Sequence, residues 1–286
     1  MSKSCKVSVI MPCFNHGEFL AEAVRSVSDC KRDDIELIVV DDGSTDERTG
    51  KEMDTLRAEG IKVIRQENKG LAAARNVGIL ASQGEYLFPL DADDRLRPGW
   101  IDSGIGILDS DPEVGVVYGD AQNFGIHTER WNVGPFDDHH LLHWNFIHAS
   151  ALYRRSIWDQ NGGYDRTMPV QGFEDWDFWL GALECGWRFR YIPEVFFDYR
   201  RAEQSMNTRA AGFEEQVREF VARKHPLLYR HAWLSLLTER QLLLNERQSV
   251  KWNFRNLRKL LKSRLKQKFD KDSGLPPDLS RQNASR

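Results

Sequence analysis

The chain reads as an α/β fold built on a mostly parallel sheet flanked by helices, and three observations carry that reading. Strand-like and helix-like segments alternate over the first 120 residues, the order expected where crossover helices join parallel strands. Segment 35–40, Ile-Glu-Leu-Ile-Val-Val, is β-branched and almost continuously apolar, as a strand covered on both faces should be. Acidic clusters stand directly after two such strands, at Asp41-Asp42 and Asp91-Ala92-Asp93-Asp94, where open α/β sheets hold their ligands.

Taken in order, residues 7–11 form a short apolar run that Pro12 ends, followed by a turn at Asn15-His16-Gly17 and a helix near 19–28. Strand 35–40 runs into Asp41-Asp42-Gly43-Ser44-Thr45-Asp46; Gly43 turns the chain, and Ser44 or Thr45 is the expected cap of the next helix. A third strand covers 61–65. Gly70 opens an Ala-rich helix over 71–82, and a fourth strand over 85–90 leads into the second acidic cluster. Pro98 suits the first turn of a further helix, and 114–118 form a fifth strand. From 121 to 210 the pattern is less regular and rich in aromatics, with Glu174-Asp-Trp-Asp177 heading a helix; after 211 it is purely helical. The expected division is a domain over 1–210, with halves 1–120 and 121–210, and a basic helical extension over 211–286.

Composition narrows the class. Of the 286 residues, 41% are hydrophobic and 29% charged, as in ordinary soluble globular proteins. No stretch approaches the ~18 apolar residues of a spanning helix. The start, Met1-Ser-Lys-Ser-Cys-Lys, runs straight into a strand and leaves no room for a signal peptide. Cys5, Cys13, Cys30 and Cys185 show no C-x-x-C pairing, which suits reduced thiols and a cytoplasmic setting. From residue 211 onward 17 Lys/Arg face 8 Asp/Glu, net +9, whereas the first 210 residues carry 23 against 35, net −12. An acidic body repels nucleic acid, so no nucleic-acid partner is expected.

An Asp-x-Asp pair at a strand end presents hard oxygen ligands to Mg²⁺ or Mn²⁺, which commonly bridge carboxylates to substrate phosphates. Turn formation alone also favours Asp there. A calcium-loop reading of Asp91–Asp93 fails, because Leu96 and Asp102 stand where Gly and Glu are needed. Neither G-x-G-x-x-G nor G-x-x-x-x-G-K-[ST] occurs, which argues against a dehydrogenase or a P-loop enzyme. His139 and His143 have metal-ligand spacing, but no third ligand stands at motif distance, which argues against zinc.

The motifs together resemble the family 2 glycosyltransferases, whose fold is called GT-A. They are Val7-Ser-Val-Ile-Met-Pro-Cys-Phe-Asn15, Val39-Val-Asp-Asp-Gly-Ser-Thr-Asp46, Asn68-Lys-Gly-Leu-Ala-Ala-Ala-Arg-Asn-Val-Gly78 and Gly84-Glu-Tyr-Leu-Phe-Pro-Leu-Asp-Ala-Asp-Asp94. Gly163-Tyr-Asp165 and Glu174-Asp-Trp-Asp177 follow, so the likeness covers about the first 205 residues. The resemblance implies a sugar transfer with inversion from a nucleoside-diphosphate donor, UDP-linked, to a hydroxyl of a glycan or lipid-linked sugar. Surface polysaccharide or glycolipid assembly is the implied setting.

Residue by residue, the resemblance places Pro12, Asn15 and Asp42 at the nucleobase and Arg75 near the base or phosphates. Asp93 is the implied direct ligand of Mn²⁺ or Mg²⁺, with Asp91 nearer the ribose. Asp175 matches the catalytic base. Glu174, Trp176 and His148 are placed on the acceptor side, Trp176 because it directly follows the base. Tyr199-Arg200, followed by Ser205, resembles a segment that closes over the diphosphate, with Arg200 or Arg201 clamping it. Relatives often carry His two residues after that Arg, where this chain has Ala202. The Q-x-x-R-W signature of processive synthases is missing, which implies single addition. A sugar-nucleotide nucleotidyltransferase would need a Gly- and Arg-rich first loop, and a non-catalytic sugar-nucleotide binder would lack Asp93 or Asp175.

In the extension, Val250, Phe254, Leu257, Leu261, Leu265 and Phe269 recur at helical spacing among nine Lys/Arg. Two expectations follow: a helix lying on the anionic inner face of a membrane, or one packing on a neighbouring helix or a second copy.

Overall fold

The structure, a computed structural model, describes residues 5–203, 212–248 and 250–272. Ser205 and the sequon at 283–285 lie outside the described residues. The chain divides into two compact units, Met1–Tyr229 and Arg230–Arg286.

In the first unit, β1 (Val7–Cys13), β2 (Ile35–Asp41), β3 (Lys62–Arg65) and β4 (Tyr86–Pro89) pair in parallel, in the order β3-β2-β1-β4. Their crossovers are α1 (Gly17–Ser28), α2 (Glu47–Ala58) and α3 (Leu71–Leu80). Pro12 does not end β1 as expected. It lies inside the strand opposite Val40, and pairing with β4 has already stopped at Ile10, so the missing N–H breaks no ladder bond on that side. The cap of α2 is likewise neither Ser44 nor Thr45: the Asp46 carboxylate accepts from Thr49 N–H at 2.8 Å.

Beyond β4 the sheet turns mixed. The two-residue β5 (Arg95–Leu96), a 3₁₀ turn at Pro98–Trp100 and α4 (Ile101–Ser110) lead into the long β6 (Val114–Gly125) and short β7 (Arg130–Trp131). Then come α5 (Asp138–His143), β8 (Leu152–Arg154), α6 (Arg155–Asn161), α7 (Glu174–Glu184) and β9 (Arg188–Arg201). β8 runs antiparallel between β4 and β6, β9 is parallel to β6, and β5 and β7 pair antiparallel at the margin. Among the described residues the sheet has nine strands.

Side chains alternate across it. Val7, Val9 and Met11 join Leu20, Val24, Phe88 and Trp100 on one face, whereas Ile10, Ile38 and Val40 join Ala74, Tyr153, Phe178 and Trp179 on the other, the period-2 arrangement of a sheet covered by helices on both sides. The helix α8 (Glu214–Lys224) belongs to this unit because Val217 and Val221 are fully buried in the second core. The compact unit thus takes in a helix that the sequence reading grouped with the extension. The remaining helices are α9 (Pro226–Gln248) and α10 (Val250–Asp272).

Candidate active site

The carboxyl ends of β1, β2 and β4 open onto a cleft of about 1370 Å³, roomier than the ~300–1,000 Å³ of most small-molecule sites. Pro12, Asn15, Asp42, Arg75, Asp91, Asp93, His148, Glu174, Asp175, Arg200 and Arg201 all line it. Trp176 does not. Its indole is 1% exposed, packs in the second core and donates to Leu141 O at 2.6 Å. Successive helical residues point about 100° apart, and the turn that brings Glu174 and Asp175 to the cleft sends Trp176 into the core.

On the donor side two loops are stapled together. Asn15 sits at φ 56°, in the left-handed region an Asn tolerates best among side-chain residues. From there its Oδ1 accepts from Thr45 N–H and Asp46 N–H at 2.8 and 3.2 Å. Asp42 accepts from Gln66 Nε2 and Lys69 N–H through Oδ1 and from Gly70 N–H through Oδ2, at 2.6, 2.9 and 2.9 Å. Gly70 is needed there: its φ is 86°, and a Cβ would lie 2.6 Å from Gln171 Nε2. Asp42 therefore fixes the loop that starts α3 as well as facing the cleft.

Arg75, 1% exposed, joins the two sides. It donates to Glu174 Oε1 at 2.7 Å and to Asp91 Oδ1 at 3.0 Å. Burial opposes its charge, but Asp91 and Glu174 hold the guanidinium firmly protonated. Glu174 spends its other oxygen on Gly172 N–H at 2.8 Å, so it orders the start of α7 and offers no free oxygen like that of its neighbour.

The turn after β4 gathers charge. Asp94 N–H donates to Asp91 O at 3.0 Å, which sets Asp91 and Asp94 side by side and sends Asp93 toward His16, 3.9 Å away. Asp94 is 1% exposed; its Oδ1 accepts from Arg200 N–H at 2.8 Å and its Oδ2 has no partner among the described residues. Burial, then the neighbouring Asp93 and Asp91 charges, push its carboxyl well above the usual range, and burial with Asp91 raises Asp93. One ligand atom each from Asp91, Asp94 and His148 lie within 4.8 Å of one another. Hard oxygens, mutual repulsion and an orphaned buried carboxylate oxygen fit a divalent cation. The set takes in Asp94 and His148, which the resemblance did not imply as ligands, and does not include Asp93, the implied direct ligand.

His148 lies at this cluster. Burial drops its pKa to about 4, so the ring is neutral, and Ser150 N–H donates to Nδ1 at 3.1 Å. In this arrangement Nε2 carries the proton and can donate to a carboxylate or a phosphate. Arg200 is locked: Nε donates to Asp93 O at 2.9 Å, Nη2 to Glu22 at 2.6 Å, and the guanidinium lies 4.2 and 4.3 Å from the Phe19 and Phe124 rings. Arg201 lies over Tyr199 at 5.3 Å and makes no ion pair among the described residues, which leaves it the freer cation for a diphosphate.

On the opposite wall Asp175 stands in the first turn of α7, 7% exposed. Asn145 Nδ2 donates to its Oδ1 at 2.9 Å. Burial, then the charge of Glu174, lift its pKa to about 7, where a proton acceptor is most useful at neutral pH.

Residues 8–168 match the family model described as Glycosyl transferase family 2. The chain belongs to this family. Among its relatives, glycosyltransferase GlyG of Streptococcus pneumoniae is 39% identical over 34% of this chain and 33% of its own length. Chondroitin synthase of Escherichia coli is 24% identical over 82% of this chain and 35% of its own length. The chain thus spans about a third of the length of each. In fold it is similar to TarS of S. aureus in complex with UDP-GlcNAc, at a TM-score of 0.57 and 20% identity, over 71% of this chain and 61% of that one. This family 2 chain therefore has the mixed α/β, GT-A-type sheet that the motifs imply, with its acidic strand ends on the cleft.

Proposed function

We propose that this chain transfers one sugar from a nucleoside-diphosphate sugar, UDP-linked, to an acceptor hydroxyl with inversion at the anomeric carbon. The observation that carries the reading is the pairing, across one cleft, of a carboxylate cluster suited to a diphosphate-bound cation with a buried carboxyl whose pKa is about 7. That TarS is known in complexes with UDP and UDP-GlcNAc supports the donor class.

Asp42, Asn15 and Pro12 border the base, Arg201 and His148 donate to the diphosphate, and Arg75 keeps both walls in register. Asp91 and Asp94, which converge beside His148, would hold Mg²⁺ or Mn²⁺ with Asp93 of the same turn as a further ligand, and the ion when bound would neutralise charge on the leaving nucleoside diphosphate. Asp175 accepts the acceptor's hydroxyl proton as its oxygen bonds to the anomeric carbon. The bond from that carbon to the diphosphate oxygen breaks, and its electron pair leaves with the nucleoside diphosphate. Attack opposite the leaving group inverts the configuration. Proton removal of this kind is worth ~10²–10⁴-fold in rate.

The experiment is release of nucleoside diphosphate from UDP-sugars, with and without chelator. Activity should vanish in excess EDTA and return with Mn²⁺ or Mg²⁺; full turnover in EDTA would remove the cation from the reading.

The natural setting we propose is assembly of a surface polysaccharide or glycolipid, with the chain cytoplasmic and peripheral at the inner membrane face. Among the described residues no helix is long and apolar enough to cross a membrane. On α10, Phe254, Leu257, Leu261 and Leu265 are all exposed, Phe254 at 68%, and Lys251, Arg255, Arg258, Lys259, Lys262 and Arg264 share the helix with no acidic residue between them. The side chains of Val250 and Phe269 lie outside the described residues. Two such basic helices repel each other, so an anionic lipid surface is the partner that satisfies both the charge and the apolar side chains.

A further inference from the structure

The tryptophans of the first unit divide by what their indole N–H groups do. Trp100 donates to Phe196 O, Trp158 to Asn76 Oδ1, Trp176 to Leu141 O, Trp179 to Ile147 O and Trp187 to Gln160 Oε1. Trp131 and Trp144 have no such partner among the described residues, and both line the cleft. Packed Trp side chains normally place the N–H on an acceptor; Trp131 still packs against the first core and the His148 and Tyr199 rings, whereas Trp144 belongs to neither core. Trp144 is the more open, 40% exposed, with no aromatic ring stacked on it among the described residues.

The next residue supplies a second, independent sign. Asn145 also lines the cleft, and its Nδ2 is committed to Asp175 Oδ1. When ionised Asp175 only accepts, which sets the Asn145 amide with Nδ2 toward it. Its other atom, Oδ1, is buried and has no hydrogen-bonding partner among the described residues, a state that is costly unless a ligand supplies a donor. An open indole, an orphaned acceptor and the buried Asp175 carboxyl thus all line one cleft, the last two in direct contact.

We propose that Trp144 and Asn145 form the acceptor subsite and that the acceptor is a saccharide. Its pyranose ring lies on the Trp144 indole, C–H groups against the π face. One ring hydroxyl donates to Asn145 Oδ1, and a neighbouring hydroxyl reaches Asp175. Trp131 lines the same cleft. An alkyl alcohol would cover the indole but leave Asn145 Oδ1 unmet, whereas a pyranose satisfies both. The inference rests on the transferase reading above and adds the class of acceptor and the residues that select it.

The test is saturation-transfer NMR on the full chain with UDP and Mg²⁺. The probes are the methyl β-glycosides of glucose, galactose and N-acetylglucosamine, and UDP affinity is measured in parallel by calorimetry. Protons on one face of at least one pyranose should take the strongest saturation. Trp144→Ala should weaken that glycoside about tenfold, the loss expected for one aromatic platform, and erase the face pattern. Trp144→Phe should keep most of both, and Asn145→Ala should weaken binding while the face pattern stays. UDP affinity should stay within about twofold in all three, which also reports that they fold. Equal affinity and pattern in Trp144→Ala, or no glycoside contact in a native chain that binds UDP, overturns the subsite. Trp144-dependent glycoside binding in a chain that never binds UDP or a UDP-sugar would instead overturn the donor reading and leave the subsite standing.

Discussion

Asp175 shows how a single residue can be bad for the fold and good for the reaction. In an unfolded chain its carboxyl ionises near about 3.9, but in the folded protein it holds its proton up to about 7. Its favourable effect on folding is thus complete below the first value and lost as pH rises through the second. The ionised form is the one that accepts a proton, so kcat/KM should rise with pH around a midpoint near 7. Asp175→Asn should cut turnover at least ~10²-fold and raise Tm by a few degrees at pH 8 but not at pH 4. A flat pH–rate profile between 5 and 8, or a fully active Asn variant, would remove Asp175 as the base. Most cleft residues were legible because they sit at strand ends in motif order: Pro12, Asn15, Asp42, Asp91 and Asp93 need only the position of the sheet. Trp176 was misplaced because adjacency in sequence is not adjacency on a helix face. Trp144 and Asn145 lie after α5 in a stretch with no period to read, and the exposure and unmet N–H that separate Trp144 from the core tryptophans appear only in the folded chain.

At the scale of elements, α7, which carries the proposed base Asp175, is clamped by the end of α8. Lys224 donates to Asp165 and Asp177 at 2.6 and 2.7 Å, and His225 meets Asp177 at 3.0 Å and Glu184 at 2.7 Å. Asp177 and Glu184 belong to α7, so the end of α8 grips both its first and last turns. Asp165 and Asp177, motif residues that the chemistry does not need, find their use here. Burial works against a charged His225, but its bonds to Asp177 and Glu184 outweigh that and raise its pKa. The stabilisation is present in full below the unfolded value of about 6.5 and lost as pH rises through the higher folded one. His225→Gln should lower Tm at pH 6 and converge on the native chain at alkaline pH, followed by calorimetry across that range. A difference that widens with pH would mean the imidazole is neutral at Asp177. The parallel strands were readable from their apolar runs, whereas β8 and β5 were not: three and two residues long, they are strands only because neighbours distant in sequence pair with them.

For the whole molecule the telling quantity is charge. Net −12 over the first 210 residues and +9 beyond give the two ends of the chain opposite preferences for an anionic surface. Trp233, Phe254 and Leu265 are each more than 60% exposed, an apolar load that a chain free in water would leave uncovered. Co-sedimentation should show the full chain with anionic vesicles at low salt, released as salt rises, and not with neutral vesicles. Each basic residue near such a surface adds about 1 kcal/mol, so replacing Arg255, Arg258, Lys259 and Lys262 together by Gln should abolish sedimentation. Equal recovery in the supernatant for both chains and both lipids would make these helices purely structural, and a concentration-dependent dimer of the native chain would assign the apolar side chains to a second copy.

The bond from Arg200 N–H to Asp94 Oδ1 spans 106 residues of sequence, and this has a consequence for biosynthesis. A ribosome delivers β1 to β4 early, with their strand ends already acidic, but the residue that closes the Asp94 turn emerges much later. At about 5–20 residues per second, the interval is on the order of 5–20 s. Throughout it the Asp94 turn, already joined to Arg75 through Asp91, lacks the backbone donor that meets the Asp94 carboxylate in the finished fold.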